Sequence, residues 1–423
     1  MGITSALYSG VSGLNTNSQA MSVIGNNLAN TNTVGFKGSR TIFSDLLSST
    51  VFGSGGASQV GRGVGMSKVD SIFSQGTFES TSSDTDLAIE GDSFFMLKEV
   101  GNSSTFYSRA GAFRFNENGY LVNPEGLRVQ GKAYDANGQL IAGDAADIMV
   151  TNKGLIPAKA TDTLSISSNL DASTVAIPAA TAFDPAITST YDYASSTQTY
   201  DTLGNPHLVT TYFRKSDAAT NTWNWYWSAE DATGAPLGGA GASPIVFTAT
   251  GQLDKTIAGN GTGTIAAATI DWNNGSTPTG IVLTFDTTQF NNVSKVISQD
   301  QNGNASGNLT NVTINNEGIV IASYSNGEQT KIANITLAKF NNPNGLNLVG
   351  SNLFTASDSS GTPRIGLPGP ELGKVFTNSL EQSNVDMGKE FVNMITVQRG
   401  FQANSKIITT VDELLGELIN LKR

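Results

Sequence analysis

The sequence predicts an α+β protein of several domains, with a helical coiled-coil core formed by both chain ends and nested, mainly antiparallel β domains between them. Three observations support this fold class. Apolar residues recur with a heptad-like period at both ends, the period changes to two in the middle, and turns with glycine separate the alternating segments. At 423 residues the chain is long enough for two or three hydrophobic cores.

The amino-terminal seam starts at Leu7 and advances in steps of four and three residues. Its apolar members, together with Ile24 of the same predicted helix, are Leu7, Val11, Leu14, Met21, Ile24 and Leu28. Glycines interrupt this helix, and each one lowers the stability of a lone helix by up to about 1 kcal/mol relative to alanine. The helix is therefore expected to be marginal unless it packs against a partner.

The carboxy-terminal seam is more regular. Its members are Phe391, Met394, Phe401, Ile408, Val411, Leu415 and Leu418. No proline occurs between Asn378 and Leu421, which predicts one helix of about 65 Å at 1.5 Å per residue. Such a helix is longer than a small domain is wide. We therefore expect its apolar seam to pack against the amino-terminal helix, against other subunits, or against both.

The middle of the chain predicts two β domains, one inserted into the other. Alternating segments joined by Asn-Gly turns, such as Asn118-Gly119 and Asn326-Gly327, appear both before and after a long Thr- and Ser-rich insertion. The insertion reads as a separate β-barrel or sandwich. The predicted domains are a helical core (1–35 with 373–423), linkers (36–84 and 361–372), an inner β domain (85–150 with 300–360) and an outer β domain (151–299).

Composition excludes several classes of function. The chain has 24 basic and 35 acidic residues, a net charge of −11, no cysteine and a single histidine, His207. Nucleic acids and anionic membranes attract basic surfaces, so we expect neither as a partner. We predict no catalytic residue, no metal site and no cofactor, and hence no enzyme. The amino terminus lacks the pattern of a cleaved signal peptide, so we expect any export to leave it intact.

One strand offers an alternative function. Trp223, Trp225 and Trp227 alternate on one face of a predicted strand, and an exposed stripe of this kind could bind sugar rings. Large aromatic side chains are more often found in cores, so we favour a packed face. A secreted glycan-binding β protein stays open as the less favoured reading.

Motifs at both ends resemble the bacterial flagellar rod and hook proteins. The residues that carry the amino-terminal resemblance are Asn26, Asn27, Leu28, Ala29 and Asn30, followed by the turn with Thr33, Gly35 and Phe36. The segments 85–97, 107–131 and 380–415 are similar to the shared β domain and the carboxy-terminal motif of the same family. Rod proteins of the family are shorter, and the large insertion therefore favours the hook subunits. The distal rod subunit is the nearest alternative.

The resemblance implies a structural subunit rather than a catalyst. Hook subunits polymerise into a curved, flexible tube that acts as a universal joint, transmits torque from rod to filament and encloses the export channel. The implied partners are further copies of the chain, the distal rod protein, the hook cap, the hook-filament junction protein and the flagellar export apparatus. The implied location is the extracellular hook of the flagellum, reached without a cleaved signal peptide.

Overall fold

The computed structural model of the chain describes residues 2–46, 49–53, 56–102, 104–135, 137–150, 155–216 and 221–421. Two long helices lie at the ends of the chain, α1 (Gly2–Ala29) and α2 (Met387–Leu421). The described residues between them form strands, turns, irregular segments and short 3-10 helices. The predicted fold class, terminal helices with mainly antiparallel β domains, is confirmed.

The strands fall into three runs along the chain. The first run is β1 (Ser39–Asp45), β2 (Ser49–Gly53), β3 (Gly56–Val60), β4 (Val64–Ser71), β5 (Phe78–Ser80), β6 (Leu87–Glu90), β7 (Phe94–Lys98), β8 (Thr105–Ser108), β9 (Arg114–Phe115), β10 (Leu121–Val122), β11 (Arg128–Ala133) and β12 (Ala146–Asp147). The second run is β13 (Leu155–Ile156), β14 (Thr163–Asp171), β15 (Tyr193–Tyr200), β16 (Pro206–Lys215), β17 (Thr222–Glu230), β18 (Pro236–Ala240), β19 (Ile245–Val246), β20 (Thr262–Ile270), β21 (Thr279–Phe290) and β22 (Lys295–Gln301). The third run is β23 (Gly307–Ile314), β24 (Ile319–Tyr324), β25 (Gln329–Ile335), β26 (Leu337–Lys339), β27 (Asn347–Gly350), β28 (Leu353–Thr355), β29 (Arg364–Gly366), β30 (Lys374–Thr377) and β31 (Ser379–Glu381).

The chain forms two compact units. The first contains Met1–Lys153, Asn311–Ala322 and Thr330–Arg423, and the second contains Gly154–Thr310 and Ser323–Gln329. The residue range of the second unit is similar to that of the predicted outer domain, 151–299. The helices and the inner β strands belong to one compact unit, so their separation into two domains stays a prediction.

The β core of the first unit is built on strands β25, β11, β7 and β8, which are neighbours in one sheet. Side chains that alternate along these strands meet in one apolar cluster, where Phe95 and Phe113 pack edge to face with their ring centroids 5.0 Å apart. Leu97, Val129 and Ile335 are fully buried in the same cluster. The period-two pattern of the sequence is the cause of this core.

Two boundaries of the first unit differ from the sequence prediction. Strands β1 to β5 occupy much of the segment 36–84, for which the sequence predicts a linker. Strand β1 pairs with β4, β2 pairs with β3, and β5 pairs with β31. The final helix begins at Met387 and not at Asn378, and it is about 52 Å long. Residues Ser379–Glu381 instead pair with β5, so the absence of proline overstated the helix.

The second unit is a pair of sheets around a tryptophan-rich core. One sheet has the order β20-β21-β14-β22, the other has the order β15-β16-β17-β18, and β19 also pairs with β17. The pairing of β14 with β21 is parallel, whereas the other pairings of these two sheets are antiparallel. Apolar side chains of both sheets form one cluster. The sequence predicts a β-barrel or a sandwich here, and two sheets that share one apolar cluster are typical of a sandwich.

Candidate self-assembly site

The two terminal helices pack against each other and run antiparallel. Gly10 lies against Ile408, Gly13 lies against Asn404, and Asn17 lies against Gly400. As the residue number rises in α1, the number of the facing residue in α2 falls. The helical contact that the sequence predicts between the chain ends is therefore present within a single copy of the chain.

The predicted seam of α1 lies at the edge of this contact. Ile24 is buried, Val11 is exposed, and the other predicted members are half-buried: Leu7, Leu14, Met21 and Leu28. The residues buried most deeply include small and polar ones: Gly10, Gly13, Thr16, Ala20, Ile24 and Asn27. The helix thus uses its small residues for contact with α2 and presents part of its apolar seam outward.

The predicted seam of α2 is divided in the same way. Val411 is buried, and Met394 and Ile408 are half-buried. Three predicted members are exposed: Phe391, Phe401 and Leu415. Leu418 lies in the helix, but its side chain is outside the described residues. A single copy of α1 therefore covers only one side of α2.

An apolar surface remains on the terminal helices. Its large side chains are each at least 37% exposed: Tyr8, Val11, Phe391, Val392, Ile395, Phe401, Ile407, Leu414, Leu415 and Ile419. So many exposed large apolar side chains on two helices mark an interaction site. Since α2 alone is about 52 Å long, this surface is larger than a neighbouring loop could cover.

Residues of the amino-terminal motif fix the turn that follows α1. The Asn27 side chain is 1% exposed and bridges to Ser39, donating from Nδ2 to the carbonyl oxygen at 2.7 Å and accepting from the backbone N–H at 2.9 Å. Asn30 bonds back to Asn26, and Thr33 donates to the Asn30 side chain at 3.0 Å. Leu28 is half-buried and Ala29 is exposed. The motif is therefore a helix-ending device rather than a ligand site.

Gly35 and Phe36 anchor that turn to the β core. Gly35 has φ +68°, and a Cβ there would lie 2.5 Å from the backbone nitrogen of Ala110, so only glycine fits. Its N–H donates to the carbonyl oxygen of Glu381 at 2.7 Å. The Phe36 side chain is buried. The start and the end of the chain thus meet at this turn.

A buried ionic cluster lies at the same meeting point. Glu381 is fully buried and accepts from the Lys37 ammonium at 2.6 Å and from the Arg109 guanidinium at 3.3 Å. Lys37 also donates to the carbonyl oxygen of Ser74, and the Gly76 N–H donates to Glu381 at 2.9 Å. The three charged side chains come from three distant parts of the sequence. We call Lys37, Arg109 and Glu381 the junction cluster.

Burial dominates the electrostatics of the junction cluster. Burial lowers the pKa of Lys37 below its ordinary value, and the neighbouring Glu381 carboxylate partly offsets that effect. Burial likewise lowers the pKa of Arg109, although a guanidinium keeps its charge in proteins. The Glu381 carboxylate therefore forms ion pairs with two buried cations. Hydrophobic periodicity did not predict that these three residues meet, because it carries no signal for contacts between charges that are far apart in the chain.

In the second unit, the tryptophan stripe belongs to the core. Trp223, Trp225 and Trp227 are 0%, 2% and 5% exposed, which matches the packed face that the sequence favoured. His207 stacks on Trp272 with ring centroids 3.9 Å apart, and its Nε2 lies 3.1 Å from Asp201. These buried rings offer no platform for sugars. The observation that supported a glycan-binding protein is thereby removed.

The chain is similar over its whole length to curated flagellar hook proteins. It is 35% identical to flagellar hook protein FlgE of Borreliella burgdorferi, with 99% of each chain covered. It is also 35% identical to flagellar hook protein FlgE of Salmonella typhimurium (97% and 98% covered) and of Escherichia coli (99% and 100% covered). The chain belongs to the flagellar hook protein family.

Family models match in the order expected of a hook protein. They are a flagella basal body rod protein model (residues 7–37), a flagellar hook protein FlgE/F/G D1 domain (88–169), a flagellar basal body protein FlaE D2 domain (169–304) and a flagellar basal body rod FlgEFG protein C-terminal model (377–421). The crystal structure of Helicobacter pylori hook protein FlgE2 is similar in fold, with 14% identity, a TM-score of 0.53, and 72% of this chain and 100% of that chain covered.

Membership in the hook protein family supports the function of a structural subunit in the flagellar hook. Full-length similarity to hook proteins, including the inserted domain, favours the hook over the distal rod. Among the described residues, no helix has the length and apolarity that crossing a bilayer requires.

Proposed function

We propose that copies of this chain polymerise through α1 and α2 into the curved, flexible tube of the hook, with the β units outside it. The observation that carries the proposal is the apolar surface on the terminal helices of a single copy, which other copies would bury. Burial of that surface favours assembly, and the antiparallel pairing of α1 with α2 supplies the unit that assembles.

The tube acts as a universal joint that transmits torque from rod to filament and encloses the export channel. Its core contacts are apolar and extensive, whereas the β units offer more polar surfaces that tolerate sliding as the tube bends. Contacts with the distal rod protein, the hook cap, the hook-filament junction protein and the export apparatus complete the proposal. The proposal also includes an extracellular location and export with an uncleaved amino terminus.

Aspartate substitutions in the two seams test the assembly core. Leu14→Asp or Phe401→Asp places a charge where other copies would pack, so we expect at least a tenfold loss of tubes in electron micrographs of the purified chain. The second unit should keep its tryptophan fluorescence. Matched controls are Ser22→Asp and Gln402→Asp, which change exposed polar positions of the same helices. Normal tubes from both seam variants would overturn the proposal.

A further inference from the structure

Each terminal helix contains a glycine followed four residues later by an asparagine, and the two pairs face each other. In α1, the Nδ2 group of Asn17 donates to the carbonyl oxygen of Gly13 at 2.7 Å. In α2, the Nδ2 group of Asn404 donates to the carbonyl oxygen of Gly400 at 2.9 Å. Both asparagines are half-buried. The bond to its own helix holds each amide in one orientation.

Each asparagine occupies the space that a side chain on the opposite glycine would need. A Cβ at Gly13 would lie 2.6 Å from Oδ1 and 2.7 Å from Nδ2 of Asn404. A Cβ at Gly400 would lie 3.1 Å from Oδ1 of Asn17. By contrast, Gly25 has no such neighbour within 4 Å. The contact is thus reciprocal, with one asparagine and one glycine supplied by each helix.

We infer that these two Gly–Asn pairs set the register of the antiparallel helices. The apolar seams cannot do so alone, because Leu7, Leu14, Met21 and Leu28 recur every seven residues, as do Met394, Phe401, Ile408 and Leu415. A slip of seven residues therefore leaves the seven-residue apolar pattern in place on both helices. Buried polar side chains are known to specify register where apolar repeats leave it open.

A slip of one heptad is incompatible with the Gly–Asn pairs. It would bring Ala20 or Ala6 opposite Asn404 in place of Gly13, and a Cβ at the position of Gly13 lies only 2.6 Å from Oδ1 of Asn404. In the first of these slips, Asn17 would lie against Ile407, whose side chain carries a Cβ, whereas a Cβ at Gly400 already lies only 3.1 Å from Oδ1 of Asn17. Of the observed register and these two slips, only the observed register places both asparagines against glycines.

This inference deepens the proposed function, since the register decides which apolar side chains of each copy face its neighbours. In a polymer, many identical seams lie close together and could pair in several ways. The Gly–Asn pairs select one pairing within each copy. The register itself belongs to the single chain, so it can be tested separately from tube formation.

The first test is a double-mutant cycle on the purified full-length chain, measured by amide hydrogen exchange of peptides from α1 and α2. Gly13→Ala should accelerate exchange in both helices at least tenfold, because its methyl group displaces Asn404. In the Asn404→Ala background the same substitution should have no such effect. Gly25→Ala and Gly416→Ala, which both face open space, should slow exchange. Equal effects of Gly13→Ala in both backgrounds would overturn the inference.

The second test reads the register with disulfides, since the chain has no cysteine of its own. Gly10→Cys with Ile408→Cys should crosslink within one chain, because a Cβ at position 10 lies 3.1 Å from Cγ1 of Ile408. Gly10→Cys paired with Phe401→Cys or with Leu415→Cys reports a slip of one heptad. We expect these slipped crosslinks to increase at least tenfold when Asn17→Ala and Asn404→Ala are added.

The outcomes separate the two proposals. No crosslink between positions 10 and 408 in the chain without the alanine substitutions, or an unchanged pattern after adding them, would overturn the register inference. A correct crosslink pattern in a chain that forms no tubes would support the register inference and contradict the proposed function alone.

Discussion

At the scale of single residues, Glu381 is the group on which two buried cations depend. Lys37 and Arg109 are each 1% exposed in their side chains, and both donate to this carboxylate. Removing one partner of a buried ion pair leaves an uncompensated charge away from water, which costs far more than the pair itself contributes. The junction cluster is therefore the most sensitive polar site of the first unit.

We predict that Glu381→Gln destabilises the first unit by about 3–5 kcal/mol, because the amide removes the carboxylate charge that both buried cations contact. The measurement is chemical denaturation of the full chain, followed by hydrogen exchange in peptides that contain residues 33–38 and 376–384. Glu371→Gln is the matched control. Its partner Arg364 is 57% exposed and Glu371 itself is 68% exposed, so little change is expected. Equal stability of the two variants would contradict the role of the cluster.

In the second unit, Asp201 is a buried carboxylate that several polar side chains contact. Burial by itself would raise the pKa of its carboxyl group, but hydrogen bonds from Asn274, Asn205 and His207 lower the pKa well below its ordinary value. A carboxyl group with a lowered folded-state pKa stabilises the fold above its unfolded-state pKa. That stabilisation is lost as the pH falls toward the folded-state pKa.

We therefore predict that Asp201→Asn lowers the stability of the second unit by about 2 kcal/mol at about pH 5, and that the difference shrinks toward about pH 3. Tryptophan fluorescence during thermal unfolding measures it, since all four tryptophans of the chain lie in the second unit: Trp223, Trp225, Trp227 and Trp272. A difference that stayed constant between these pH values would show that Asp201 is not a titrating stabiliser.

At the scale of elements, the start of α2 depends on a single cap. The Oδ1 atom of Asp386 accepts from the N–H of Lys389 at 3.1 Å, and the backbone carbonyl oxygen of Asp386 accepts from the N–H of Glu390 at 3.0 Å. An aspartate here satisfies one of the free N–H groups of the first turn and its charge suits the helix dipole.

Replacing the cap gives a local prediction. Asp386→Ala should destabilise the first turn of α2 by about 1 kcal/mol, whereas Asp386→Ser should retain most of the stability because a hydroxyl can cap as well. Hydrogen exchange of the amides in residues 387–391 measures the effect. If the alanine and serine variants exchanged at the same rate, the cap would have no role in fixing this boundary.

Periodicity predicted both helices and the strand pattern of the β core, because 3.6- and two-residue periods follow directly from backbone geometry. It did not predict which side of α1 packs on α2. Gly13 and Asn17 carry no apolar signal, and as residues of a lone helix they count only as weak helix formers. Two of the glycines that lower the intrinsic stability of α1, Gly10 and Gly13, are also the ones that let α2 approach closely.

At the scale of the whole molecule, both chain ends contribute strands as well as helices. Strands β30 and β31 pair with β6 and β5, so residues 374–381 belong to the β part of the first unit. A shortened chain must keep these strands if the β core is to fold. Sequence patterns could not place them, because each strand is only three or four residues long and its partner lies about 290 residues earlier.

A variant that consists of residues 36–385 should therefore fold but not assemble. It retains the junction cluster and lacks α1 and α2, so we expect thermal unfolding close to that of the full chain together with a monomer in sedimentation. A second variant that ends at residue 373 loses Glu381 and should unfold at a temperature lower by several degrees. Tubes formed by the 36–385 variant would contradict an assembly core made of the terminal helices.

The sequence predicts a nested order of domains because helical periods flank β periods on both sides. The exact limits were not, because turns of similar composition lie inside and outside the insertion. The structure places the limits of the second unit at residues 154 and 310, with 323–329 added.

Strand β13 has a consequence for how such proteins can be diversified and engineered. Leu155 pairs with Asn308 and Ile156 pairs with Gly307, so the segments by which the chain enters and leaves the second unit lie side by side. Any domain whose own termini are adjacent could be grafted between these two segments as a cassette, with no change in length on either side. If the chain polymerises as proposed, every subunit could then carry a foreign domain while the sequences of α1 and α2 stay unchanged.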